Sequence, residues 1–232
     1  RAFEDKILRA QGREILKKLE AEERIGIVML GRPYHNDPGI NHEILEEFQK
    51  IGYPVLTLAS LPIDDDIIFP LFEEDMKAGL IEHPMDIRDA WKNSYSENTS
   101  QKVWAAKYTA RHPNLVALEL SSFKCGHDAP IYTAVEETVT KSGTPYFSFK
   151  DIDENKPTGS IKIRVETISY FLKRYREDMV LRKKKQSEID AKLKELEAKL
   201  RAELADESMV GPPPAPYEVE MPVGINVIRR EE

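Results

Sequence analysis

Short apolar runs alternate with amphipathic stretches over the first two-thirds of the chain. The runs occupy residues 25–30 (IGIVML), 53–58 (YPVLTL), 115–120 (LVALEL) and 144–149 (TPYFSF). Continuous apolar runs of this length are typical of strands that a parallel sheet buries on both faces. Apolar residues at helical spacing fill the stretches 3–22, 40–51, from 98 onward, and 129–141. We therefore predict an α/β fold with a four-stranded parallel sheet.

Residues 59–96 interrupt this alternation. Pro62, Pro70 and the acidic triplet 64–66 break any long element there, so we expect short helices and irregular connections. A connection of this length can carry the chain back across the sheet, because parallel strands are joined by right-handed crossovers. The predicted strand order is 2-1-3-4, which makes the domain doubly wound.

A long helix is predicted after residue 160. Counted in heptads from Val165, its a and d positions are apolar except at Arg182, Gln186 and Glu203. Such a helix is more often a coiled-coil arm or a docking helix than a core element. The alternative is two helices separated near the basic run 182–185. The resulting assignment is a leading helix (1–23), an α/β domain (24–172), a long helix with coiled-coil character (173–208) and a Pro-rich tail (209–232).

Charge and cysteine content narrow the class of protein. The chain has 34 Lys and Arg against 41 Asp and Glu, a net charge of −7, whereas proteins that grip nucleic-acid backbones are normally basic. One cysteine excludes an internal disulfide and suits a reducing compartment. No apolar run approaches the roughly 18 residues that span a bilayer. We expect a cytoplasmic protein with no nucleic-acid or membrane partner. Because the chain opens on Arg1 within a helical pattern, we also expect it to be a fragment of a longer protein.

Reactive side chains concentrate in two loops that follow predicted strands. The loop GRPYHND (31–37) carries Arg32, Tyr34 and His35, and the loop SSFKCGHD (121–128) carries Cys125 and His127. Ligands of doubly wound sheets bind beyond the carboxyl ends of the strands where the strand order reverses, which here lies between strands one and three. The sequence therefore predicts a binding crevice formed by these two loops.

Two residues in these loops have alternative interpretations. Cys125 is either a buried thiol that acts as a small apolar side chain or a thiolate favoured by the following helix and nearby cations. Arg32, with Gly31 turning the backbone off the strand, either holds an anion together with the amides near residues 40–42 or pairs with Asp37 inside a tight turn.

Three stretches resemble one protein family. GRPYHNDPGINHEI (31–44), SSFKCGHDAPIY (121–132) and SGTPYFSFKDIDENKPTGSIKIRVET (142–167) resemble the D-component-like family of 2-hydroxyacyl-CoA dehydratases and benzoyl-CoA reductases. More narrowly, the chain is similar to the long CoA-substrate-specific enzyme activase form, in which an ATPase module precedes this region. The resemblance covers roughly residues 1–180.

The resemblance implies a function and a cofactor. Such proteins have stacked flavodoxin-like domains that jointly hold an iron–sulfur cluster, which passes electrons from an ATP-hydrolysing activase to an acyl-CoA in anaerobic metabolism. Cys125 is then implied as one ligand of a 4Fe-4S cluster whose ligand set is incomplete in this chain, so the chain alone is expected to be inactive. The implied partners are upstream domains, the activase module and the acyl-CoA. The residues implied around the cluster are Gly31, Arg32, Tyr34, His35, Ser122, Gly126 and His127.

His127 departs from the shorter dehydratase subunits, where another residue is common, and this leaves the substrate open. A second hypothesis is a docking or regulatory module without catalytic activity, which uses the long heptad helix and the Pro-rich tail, including self-association through that helix. The two hypotheses differ at Cys125, which has a role only in the first.

Overall fold

The computed structural model describes residues 2–121, 126, 128–149 and 158–207. The chain divides into two units, residues 1–183 and 184–232. The first unit contains a parallel sheet of four strands: β1 (Gly26–Leu30), β2 (Val55–Thr57), β3 (Leu115–Leu120) and β4 (Tyr146–Phe149). Their order in the sheet is β2-β1-β3-β4, which confirms the predicted doubly wound α/β fold.

Eight helices accompany these strands in the described part of the chain. They are α1 (Ala2–Ala21), α2 (Pro38–Asn41), α3 (Ile44–Lys50), α4 (Asp65–Leu71), α5 (Glu73–Lys77), α6 (Glu97–Arg111), α7 (Tyr132–Lys141) and α8 (Thr158–Glu207). The short helices α4 and α5 lie in the stretch where short elements were expected. Ser96 caps α6, because its side chain accepts a hydrogen bond from the amide of Thr99; serine is among the residues preferred at this position.

The sheet is covered on both faces, and alternate residues of its central strands point to opposite layers. On one face, Val28 and Ala117 pack against residues of α1, α6 and α7, such as Leu19 and Tyr108. On the other face, the layer consists of α3 and the first part of α8. Its buried residues include Ile27, Val116, Phe48, Val165 and Leu172. Burial on both faces explains why the strands are continuous apolar runs.

One predicted helix is divided in the structure. The single helix expected over residues 40–51 is replaced by α2 and α3, because His42 and Glu43 adopt left-handed backbone conformations with φ of 53° and 57°. The buried side chain of Asn41 donates a hydrogen bond of 2.9 Å to the carbonyl oxygen of His35. This bond ties the end of α2 to the loop after β1, and the chain must turn before α3 can begin.

The long helix α8 is uninterrupted through the basic run 182–185, so the alternative of two helices is wrong. Arg and Lys have high helix propensity, and the side chains of this run are exposed to solvent. No helix in the described ranges combines the length and the apolar character needed to cross a membrane.

Candidate functional site

The loops after β1 and β3 meet because these strands are neighbours in register. Leu30, the last residue of β1, pairs with Glu119 of β3, so both loops leave the same edge of the sheet. The loop after β1 forms a turn of 3-10 helix at Pro33–Asn36. This edge is where the sequence predicts the crevice.

A buried ion pair joins the two loops. Arg32 Nε donates to Asp128 Oδ1 at 2.7 Å, and Arg32 Nη2 donates to Thr99 Oγ1 at 3.1 Å. Ser121 Oγ donates to Asp128 Oδ2 at 3.0 Å and also contacts the hydroxyl of Tyr132. Arg32 is 5% exposed, and Asp128 and Ser121 are fully buried. Arg32 therefore pairs with Asp128 and not with Asp37, and it is buried. It fixes the β1 loop to Asp128, which Ser121 joins to the other end of the loop 122–127.

A second ion pair lies beside the first. Lys102 of α6 and Glu119 of β3 are both fully buried, with 2.6 Å between Nζ and Oε1, and Lys102 Nζ is 3.6 Å from Asp128 Oδ1. Neither Nζ nor Oε1 has a hydrogen bond of regular geometry among the described residues, whereas Glu119 Oε2 accepts one from the Tyr146 hydroxyl. Burial, together with the nearby Glu119 carboxylate, raises the pKa of Tyr146. Two basic side chains thus face two carboxylates at buried positions.

His35 is a neutral, structural member of this cluster. The ring is 1% exposed, and its Nδ1 accepts a hydrogen bond of 2.9 Å from the backbone N–H of Arg32. Burial lowers the pKa of His35 to about 4, with a further lowering by Lys102 and a smaller one by Arg32, while Asp128 raises it. Because Nδ1 is an acceptor, the ring proton resides on Nε2.

The other predicted residues of the β1 loop lie around His35. A Cβ at Gly31 would be 2.5 Å from Met29 Sδ and 2.9 Å from His35 Nδ1, so only glycine fits where the chain leaves the strand. The ring of Tyr34 is 42% exposed and its centroid is 4.4 Å from that of His35. Tyr34 therefore marks where this cluster reaches the surface.

The β3 loop is described only in part. Ser122, Cys125 and His127 lie outside the described residues, and Gly126 is exposed. Among the described residues no three His, Cys, Asp or Glu side chains form a group able to hold a metal ion. Those residues alone therefore do not supply the ligand set of an iron–sulfur cluster, which takes several cysteines.

An open cleft of about 370 Å³ lies next to the buried cluster. Gly31, Arg32 and Pro33 form one wall, Leu58 and Ala59 after β2 form another, and residues at the start of α6 complete it. The open space of this cleft lies towards β2, beside the two ion pairs.

Residues 1–61 match the model of a family described as CoA enzyme activase uncharacterised domain. This part of the chain is therefore similar to that CoA enzyme activase-related family. The activase-like segment contains α1, β1, the Arg32 loop, α2, α3 and β2, and it ends before α6 and β3. It therefore includes one side of the buried cluster but not Asp128 or Cys125. No curated protein and no solved structure matched the chain.

Sequence reasoning missed five residues of the buried cluster around Arg32: Thr99, Lys102, Glu119, Ser121 and Asp128. Only Glu119 carried a usable signal, because it is the charged member of an otherwise apolar strand run (LVALEL) and a buried carboxylate needs a partner. Lys102 directly precedes the apolar residues Val103 and Trp104. Its inward direction is visible only once α6 is placed on the sheet.

Proposed function

We propose that this chain is an α/β domain of a CoA enzyme activase-related system in which Cys125 supplies one thiolate to an iron–sulfur cluster of the 4Fe-4S type. The cluster accepts and donates single electrons when bound, within an ATP-driven transfer of electrons to an acyl-CoA. The activase-like segment at residues 1–61 and the dehydratase-like motifs around Gly31 and Cys125 support this proposal.

The observation that carries the proposal is that the two residues flanking the Cys125 loop are hydrogen-bonded to each other. Ser121 and Asp128 flank this loop, both are fully buried, and a hydrogen bond of 3.0 Å joins them. Arg32 adds an ion pair from the β1 loop. Both flanking residues of this loop are therefore fixed at the carboxyl edge of the sheet, where doubly wound domains bind their ligands.

In this proposal the domain positions a ligand and does not enclose the cluster by itself. One thiolate is insufficient, so the remaining ligands come from other polypeptide segments of the system. The residues proposed to lie around the iron–sulfur cluster come from two loops. The first loop contributes Gly31, Arg32, Tyr34 and His35, of which the buried Arg32 and His35 shape the edge and Tyr34 reaches its surface. The second loop contributes Ser122, Gly126 and His127.

The test is the iron and acid-labile sulfide content of the complete protein, purified without oxygen together with its activase system. We expect wild type to contain a cluster and Cys125→Ser to lose it or to change its electron paramagnetic resonance spectrum, while the tryptophan fluorescence of the folded protein is unchanged. Ser142→Ala, an exposed position after α7, is the control and should retain the cluster. A cluster-free wild type, or a folded Cys125→Ser protein with normal iron content, would refute the ligand role.

A docking module remains the second candidate function, because α8 carries half-exposed apolar side chains, among them Leu193 and Leu196 at 52% and 54% exposure. It predicts that Cys125→Ser leaves the protein unchanged and that Leu193→Asp or Leu196→Asp abolishes assembly. The two functions are compatible in one protein.

A further inference from the structure

The distal part of α8 has an exposed apolar stripe. Ile189, Leu193, Leu196 and Leu200 are 50%, 52%, 54% and 56% exposed. Their spacing of alternately four and three residues places them at the a and d positions of consecutive heptads, on one side of the helix. Large aliphatic side chains at this spacing lose apolar exposure only when a second helix packs along them.

The charges beside the stripe indicate which helix packs along it. In heptad positions, Lys185 and Lys192 occupy g, and Asp190 and Glu197 occupy e. When two copies of a helix lie parallel, each g residue faces the e residue five positions further along the partner. Lys185 then meets the partner copy's residue 190, and Lys192 meets residue 197. Both of these contacts join a cation and a carboxylate, while Lys199, the next g residue, faces Leu204 of the partner copy.

The antiparallel arrangement produces the opposite result. There g positions face g positions and e positions face e positions, so lysines would meet lysines and carboxylates would meet carboxylates. Like charges at these positions are repulsive. The same sequence therefore favours one orientation of two identical helices and disfavours the other.

We propose that residues 185–200 of α8 form a parallel two-stranded coiled coil with a second copy of this chain. The apolar stripe from Ile189 to Leu200 forms the seam, and the lysines at g pair with the carboxylates at e. At 1.5 Å per residue the seam is about 17 Å long, so the dimer is weak and its population depends on concentration. The proposed dimer is independent of the proposed iron–sulfur cluster, since Cys125 takes no part in the coiled coil.

The first test is sedimentation of the full chain over a range of concentrations. Wild type should show a monomer–dimer equilibrium, and Leu193→Asp should raise the dissociation constant at least tenfold, because each copy would place a carboxylate in the seam. Ala191→Asp introduces the same side chain at an exposed f position on the outer side of the helix and should change the dissociation constant less than about twofold. A wild-type chain that sediments as a monomer at every concentration would overturn the proposal.

The second test determines orientation by exchanging charges. Lys192→Glu and Glu197→Lys should each weaken the dimer about fivefold, because two attractive contacts per dimer become repulsive, and the double variant should return to within about twofold of wild type. Residues five apart do not face each other on one helix, so this recovery requires a partner. Lys194→Glu, an exposed b position, is the matched control and should leave the dimer unchanged.

Two results of the charge exchange would refute the parallel dimer. A dimer strengthened by Lys192→Glu would indicate antiparallel helices, because a lysine–lysine contact would have been removed. Additive weakening in the double variant would indicate that these charges do not face each other. Far-ultraviolet circular dichroism of each variant establishes that α8 remains helical.

Discussion

Removing the charge of Asp128 tests whether the buried cluster holds the two loops together. In Asp128→Asn the amide oxygen can still accept a hydrogen bond from Arg32, but the negative charge 2.7 Å from Arg32 Nε and 3.6 Å from Lys102 Nζ is lost. The cluster then contains two cations and the single carboxylate of Glu119, all nearly or fully buried. The expected result is a large loss of folding stability.

The size of the stability loss depends on the contacts that Lys102 and Arg32 retain in the variant. Breaking a buried ion pair by removing one partner costs about 3–5 kcal/mol. Lys102 keeps Glu119 at 2.6 Å and Arg32 keeps Thr99, so we expect the lower end, about 3 kcal/mol. For a domain with roughly 5–15 kcal/mol of total stability, this change is readily measured.

Urea unfolding followed by tryptophan fluorescence measures this loss. The signal reports on the structural unit that contains Asp128, because Trp91 and Trp104 both lie in residues 1–183. The unfolding midpoint should fall by roughly 1.5 M at unchanged slope. The control is Asp37→Asn: Asp37 is exposed and accepts hydrogen bonds from the amides of Gly39 and Ile40. Asparagine caps a helix equally well, so this variant should lose less than about 0.5 kcal/mol. A loss below about 1 kcal/mol in Asp128→Asn would refute the reasoning.

Three further predictions concern the same unit. The folded state keeps His35 neutral down to about pH 4, whereas the unfolded residue protonates near pH 6.5. Lowering the pH from 6.5 to 4 should therefore reduce the free energy of unfolding by up to about 3 kcal/mol. The variant His35→Gln should show a weaker dependence of this free energy on pH. Lys102→Met and Glu119→Gln should each cost about 3 kcal/mol, and the double variant should cost less than their sum. Leu172→Ala, fully buried in α8, should cost about 3 kcal/mol, whereas Leu196→Ala should leave tryptophan-detected unfolding unchanged.

Each of these predictions has a contradicting outcome in the same urea assay. An unchanged pH dependence in His35→Gln would assign the effect to other groups, among them His112, whose pKa is also lowered by burial. Additive costs for Lys102→Met and Glu119→Gln would mean that the two side chains do not interact. Equal losses in Leu172→Ala and Leu196→Ala would contradict the burial difference along α8.

Hydrophobic patterning was sufficient to predict the sheet. Apolar runs located all four strands, and a single long connection determined where the chain crosses back, which yields the observed order. The pattern fails at His42 and Glu43, because hydrophobic periodicity does not show that the backbone turns left-handed at these two residues. The continuity of α8 was left open for a similar reason, since its solvated basic run has no packing partner that would indicate a helix.

The candidate site was located but its interior was not predicted. Strand order placed the loops of Arg32 and Cys125 at one edge, yet the residues that join them come from four different elements and are far apart in sequence. Arg32 and Asp128 are separated by 96 positions, and their pairing follows only from the register of β1 and β3. An arginine in a polar loop is expected at the surface, so its burial could not be derived from local sequence.

The charged cluster also constrains how the edge of this sheet can work. Well-packed apolar side chains often replace a buried ion pair with no loss of stability, so stability alone does not require these four charges. What apolar side chains would not provide is a fixed geometry: Asp128 accepts from Arg32 and Ser121 in defined directions, which sets the position of one loop relative to the other. If Lys102→Met with Glu119→Gln proves nearly as stable as wild type while Asp128→Asn does not, the Arg32–Asp128 pair is the part of the buried cluster that positions the loops.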